Sequence, residues 1–163
     1  MKVITTMHMR LELFVLPVSD VDRARAFYEK AGFRLDLAKD VTEDYRVVHL
    51  TPPGSEASII FGKGLTTAPP GSAQGLYLVV SDIERARAQL VDRGVEVSEV
   101  FHDGKGLFFH GHDAGDLVHN GAGQERISGP QPERASYGSY ATFSDPDGNG
   151  WVLQEVTQRA PGR

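Results

Sequence analysis

Val18-Ser19-Asp20-Val21-Asp22-Arg23-Ala24-Arg25-Ala26 is echoed further along the chain by Val80-Ser81-Asp82-Ile83-Glu84-Arg85-Ala86-Arg87-Ala88. The same offset pairs Gly32 with Gly94. Eight of the fifteen aligned positions are identical and two more are conservative. Such self-similarity limits the architecture more than any single motif does, because each copy must be one supersecondary unit that needs its neighbour to bury its apolar face.

Each copy reads the same way. An apolar run precedes it, Leu11–Val18 or Leu76–Val80, rich in the β-branched and aromatic residues that suit a strand. Ser19 and Ser81 stand where a helix N-cap belongs, with Asp22 and Glu84 three residues on, the second completing a capping box. Ala24, Phe27, Tyr28 and Ala31 recur at helical spacing, as do Ala86, Leu90 and Val91. Gly32 and Gly94 supply the left-handed residue that ends each helix.

Three strand-like segments follow each helix: Phe33–Leu37, Tyr45–Leu50 and Ala57–Phe61 in the first copy, then Val95–Phe101, Tyr140–Phe143 and Trp151–Val156 in the second. Each copy is therefore βαβββ. The expected division is a module over 9–62, a linker rich in Gly, Pro and Thr over 63–73, and a second module over 74–157, within one compact domain. The second module carries an insertion at about 103–139, dense in Gly, His and Asp, of a length that suits a lid or a disordered segment.

The bulk properties remove several function classes. A net charge of −5 without a Lys/Arg run gives no footprint for nucleic acid. No apolar run is long enough for a bilayer, and Met1 to Met9 lacks a signal-peptide core. The absence of cysteine excludes disulfides, thiolate nucleophiles and Cys-based zinc sites, and it fits a reducing compartment. A cytoplasmic protein is the expectation.

The duplicated module, its Val-Ser-Asp helix entry and the Asp145-Pro146-Asp147-Gly148-Asn149 turn before the last strand together resemble the vicinal oxygen chelate superfamily (glyoxalase, bleomycin-resistance protein, extradiol dioxygenase) over nearly the whole chain. The resemblance implies an α+β fold in which two tandem βαβββ modules form a half-open, cup-like mixed β-sheet, and it implies a homodimer. Metal-dependent members carry one ligand on the first and one on the last strand of each module. Counted from the helix entries and the turn, those positions fall on Leu13, Gly75, Val152 and either Ser58 or Ile60. None is His, Glu, Asp or Cys, and an aliphatic side chain offers no lone pair to a divalent ion. No cofactor is expected.

Strand alternation puts Leu13, Val15, Tyr77 and Val79 toward the cup, joined by Ile60, Val152 and Gln154 and by Val47 and His49. Phe108 and Phe109, in the insertion, form an apolar underside for a closing loop. Trp151 points the opposite way, into the core, and Glu155 belongs to a surface or edge. A cup so lined suits a small apolar or aromatic ligand such as an antibiotic, held without chemistry. Two alternatives use the same fold. One is a metal-independent enzyme (lyase, isomerase or dioxygenase type) with His49 as acid–base catalyst. The other is a divergent metal enzyme recruiting His102, His110, His112 or Glu155.

Overall fold

The computed structural model describes residues 5–104 and 126–162. The first repeat gives β1 (Leu13–Val15), α1 (Val21–Ala31), β2 (Arg34–Thr42), β3 (Tyr45–Thr51) and β4 (Ser58–Lys63). The second gives β5 (Leu76–Val80), α2 (Ile83–Asp92), β6 (Phe101–Asp103), β7 (Arg126–Ser128), β8 (Tyr140–Ser144) and β9 (Gly150–Glu155). The strands form two open sheets, ordered β1-β4-β3-β2 and β5-β9-β8-β6-β7. Both are mixed: the first strand of each module runs parallel to the last, and the remaining pairs are antiparallel. Among the described residues no helix is long and apolar enough to cross a membrane.

The helix starts lie one residue later than expected. Asp20 and Asp82, not Ser19 and Ser81, are the N-caps, accepting from the backbone N–H of Arg23 at 3.0 Å and Arg85 at 3.1 Å. Asp caps as well as Ser does and adds a charge at the dipole's positive end, and Ser19 is engaged elsewhere, giving both its N–H and its hydroxyl to Asp147. Glu84 closes no capping box; it pairs with Arg134 at 3.1 Å. Gly32 does end α1 in the left-handed region, at φ 103°.

Two features of the second module also differ from the sequence reading. The stretch 95–100 is not continuous strand: Val97 makes an isolated bridge to Phe143, and Ser98 N–H reaches the Thr142 carbonyl. The insertion contributes β7, which adds a fifth strand beyond β6.

One core serves both modules. Leu16, Tyr28, Val48, Leu50, Ile59 and Phe61 of the first cluster with Ile83, Ala141, Phe143, Trp151 and Leu153 of the second. The linker is fastened to this body: Asn149 accepts from the Ala73 N–H and donates to the Pro17 carbonyl, and the Gly150 N–H donates to Ala73. The Asp145–Asn149 turn thus clasps the exit of β1 and the linker together. Trp151 sits in the core as alternation requires, its ring stacked on Phe143. Glu155 does not lie at the surface. It is 1% exposed, accepts from the Ile83 N–H at 2.9 Å and pairs with Arg134 at 2.6 Å.

Candidate functional site

Strand parity divides each sheet into a face on the shared core and a face turned away from it. In the first sheet, Val48, Leu50, Ile59 and Phe61 take the core face. The register then places Leu37, His49, Ile60 and Val15 in one row across the other face, with Leu13 and Ser58 paired in the next row and Val47 opposite Lys39 on its far side. In the second sheet Trp151 and Leu153 face the core, so Tyr77, Val152 and Thr142 form one outer row, and Val79, Gln154, Tyr140 and Phe101 the next. All nine strand residues singled out from the sequence lie on these outer faces. Phe108 and Phe109 fall outside the described residues, as do His110, His112 and His119.

Several residues of these faces were not anticipated. Leu37 is reached only past a bulge between Leu35 and Leu37 that shifts the parity of β2. Phe101 and Tyr140 join Val152 in a small apolar cluster, and the Arg126 guanidinium lies 3.9 Å from the Phe101 ring centroid. Thr142 and Tyr140 follow from parity with Val152 and Gln154, a signal present in the sequence. The faces remain partly open: Tyr77 is 36% exposed and Val79 44%.

Polar groups on the first face gather at one end. Thr51 donates its hydroxyl to Asp36 and shares a 2.7 Å hydrogen bond with Ser58, and Asp36 pairs with Arg34 at 2.6 Å. Arg34 first, then the Thr51 hydroxyl, hold the Asp36 carboxyl below the usual carboxylate range, with His49 close enough to add to the effect. The Nε2 of His49 is buried with no hydrogen-bond partner among the described residues. Gln154 is partly committed, donating to the Tyr137 carbonyl at 3.1 Å. His102 is satisfied by the Gly129 carbonyl at 2.8 Å.

The profile of the Glyoxalase/Bleomycin resistance protein/Dioxygenase superfamily matches residues 10–115. The chain belongs to that superfamily. TnmS3, an antibiotic binding protein from Streptomyces sp. CB03234, is 28% identical with a TM-score of 0.63, over 93% of this chain and 99% of its own. A glyoxalase/bleomycin resistance protein from the same organism is 30% identical (TM-score 0.60; 90% and 100% covered). A superfamily member from Sphaerobacter thermophilus DSM 20745, 23% identical over 92% and 99%, shares the fold (TM-score 0.60). No curated protein matches.

Within this superfamily, the register decides which residues stand at the metal-ligand positions. Val15 pairs with Ile60 as Tyr77 pairs with Val152, and Val15 and Tyr77 are equivalent in the repeat. Ile60, not Ser58, is therefore the counterpart of Val152. The four positions that the resemblance implies are then Leu13, Ile60, Gly75 and Val152, three aliphatic side chains and a hydrogen. Gly75 has φ 69°, so its backbone is bent out of the extended conformation that would aim a ligand inward. These residues do not fit a divalent metal. Among the described residues no three His, Cys, Asp or Glu are grouped to hold one elsewhere.

Proposed function

We propose that this superfamily member binds a mostly apolar or aromatic small molecule, such as an antibiotic, on its cup faces without metal or cofactor and without chemistry. The observation that carries this reading is the composition of the outer rows: Val15, Ile60, Tyr77, Val79 and Val152 occupy and surround the positions where metal-dependent relatives place ligands. The similarity to an antibiotic binding protein supports it. Burial of such a ligand contributes roughly 25 cal/mol per Å² of apolar area, and Thr51, Ser58, Thr142 and Gln154 offer polar contacts. A homodimer would cover the open faces, since each chain turns its Tyr77 and Val79 outward from its core. A cytoplasmic location accords with this reading.

A thermal-shift screen of the full chain against polycyclic aromatic natural products tests the proposal. The expected result is a midpoint that rises with ligand concentration for a subset of the panel. A flat response across the panel contradicts it.

The Nε2 of His49, without a partner among the described residues and beside the Asp36–Thr51–Ser58 group, favours one second reading, a metal-independent enzyme with His49 as acid–base catalyst. Loss of turnover in His49→Gln with ligand binding retained would establish it; a ligand recovered unchanged after prolonged incubation with the wild type counts against it.

A further inference from the structure

The duplication is imperfect where space is concerned. α1 carries Phe27, Tyr28 and Ala31 at the positions where α2 carries Gln89, Leu90 and Arg93. Tyr28 is fully buried, in ring contact with Phe27, Phe33, Phe61 and Trp151. Leu90 is only partly buried, and Ile83 is the one residue α2 buries fully. Replacing a ring by an isobutyl group leaves room beneath the helix.

That room is a crevice of about 210 Å³ between α2 and the end of the first module. Leu78, Phe143 and Leu153 line it from the second sheet, Leu90 from the helix, and Phe33 and Pro53 from the first module. It is smaller than the roughly 300–1,000 Å³ of drug-sized sites, so a single ring or a short alkyl chain is the scale of its occupant. Leu78 and Leu153 belong to the core-side face of their sheet, opposite Tyr77 and Val152, so the crevice lies across the sheet from the cup, and Val79, on the β5 strand, borders both.

Its rim carries an uncommitted cation. Arg93 is exposed, and among the described residues it forms no ion pair. Its Nη1 lies so near Gly32 that a Cβ there would be 2.2 Å away, so the absence of a side chain at Gly32 leaves the guanidinium room to lie beside the crevice. Gln89, on the same rim, adds an amide donor. A guanidinium with free donors beside an apolar hollow is matched by an amphipathic anion whose carboxylate takes two parallel N–H donors.

We propose that this inter-module crevice is a second binding site, for a small aryl or short-chain alkyl carboxylate, with the apolar part in the hollow and the carboxylate on Arg93. The assignment is independent of what the cup binds.

The test is a titration of the full-length protein with phenylacetate and with hexanoate, followed by amide NMR, with 2-phenylethanol as the neutral control. Saturable shifts are expected at Leu78, Leu90 and Leu153, with affinity at least tenfold weaker for the alcohol and for Arg93→Gln. Leu90→Tyr, which restores the side chain of the first copy, is expected to abolish binding. Ala86→Leu, which narrows the crevice from the same helix, serves if that variant does not fold. Absence of saturable shifts with both carboxylates overturns the proposal. So does equal binding of the alcohol, binding undiminished in the crevice variants, or shifts centred on Tyr77 and Val152.

Discussion

The Tyr28 hydroxyl donates to Oδ2 of Asp145, 117 residues further along the chain, at 2.9 Å, and accepts the Trp151 indole N–H at 2.9 Å. Burial, reinforced by the Asp145 carboxylate, pushes the phenol's pKa far above its ordinary value, so it remains a protonated donor at any working pH. This contact ties the helix of the first module to the turn and last strand of the second. Tyr28→Phe leaves two buried groups short of a partner, and a loss of about 1–3 kcal/mol is expected. Urea denaturation checks it: the midpoint should fall with the slope unchanged.

Glu155 gives the pH prediction. Its hydrogen-bonded pairing with Arg134 and, less strongly, the Ile83 N–H outweigh burial and hold its carboxyl below the usual range. A depressed folded pKa means the stabilisation is complete above the unfolded value near 4.3 and is lost as pH falls through the lower, folded one. Glu155→Gln should therefore be less stable than wild type at pH 7, with the gap closing as the solution is acidified below the unfolded value. Paired urea titrations at neutral and acid pH measure the gap, and a constant difference would contradict the account.

His49→Leu separates structure from chemistry. A buried ring nitrogen without a partner carries a desolvation cost of about 1–3 kcal/mol, which an apolar residue of similar size avoids. The variant is expected to match or exceed wild-type stability in thermal denaturation. A marked loss would mean that the imidazole has a structural partner.

Tyr77→Ala addresses the cup. The residue is 36% exposed and outside the core cluster, so little stability depends on it. An aromatic ligand should lose at least tenfold in affinity, because aromatic anchors dominate binding surfaces. Equal affinity in variant and wild type would place the ligand elsewhere.

Much of this organisation was legible because the repeat supplies its own ruler. Matching helix entries set the phase of β1 and β5 and the Asp145–Asn149 turn set that of β9, and alternation did the rest for Val15, Tyr77 and Val152. The phase failed where the copies differ in length. From Gly54 to Ile60 the turn is two residues longer than from Gly148 to Val152, so counting from the turn could not choose between Ser58 and Ile60, and pairing with Val15 was needed. Glu155 was read as a surface or edge residue and its burial was missed, because its partner Arg134 arrives from the insertion, 21 residues earlier. The caps moved from Ser19 and Ser81 to the adjacent aspartates; in the first copy Asp147, 128 residues away, engages Ser19. Long-range partners of this kind leave no local trace in a sequence.

The account's central claim is that the cup binds its ligand without a metal. Calorimetric titration of the strongest aromatic ligand from the thermal-shift screen, into protein dialysed exhaustively against EDTA, tests it most directly. With Leu13, Ile60, Gly75 and Val152 at the ligand positions, the affinity should equal that of protein never exposed to chelator. Binding that disappears after EDTA and returns on addition of a divalent ion would contradict the claim.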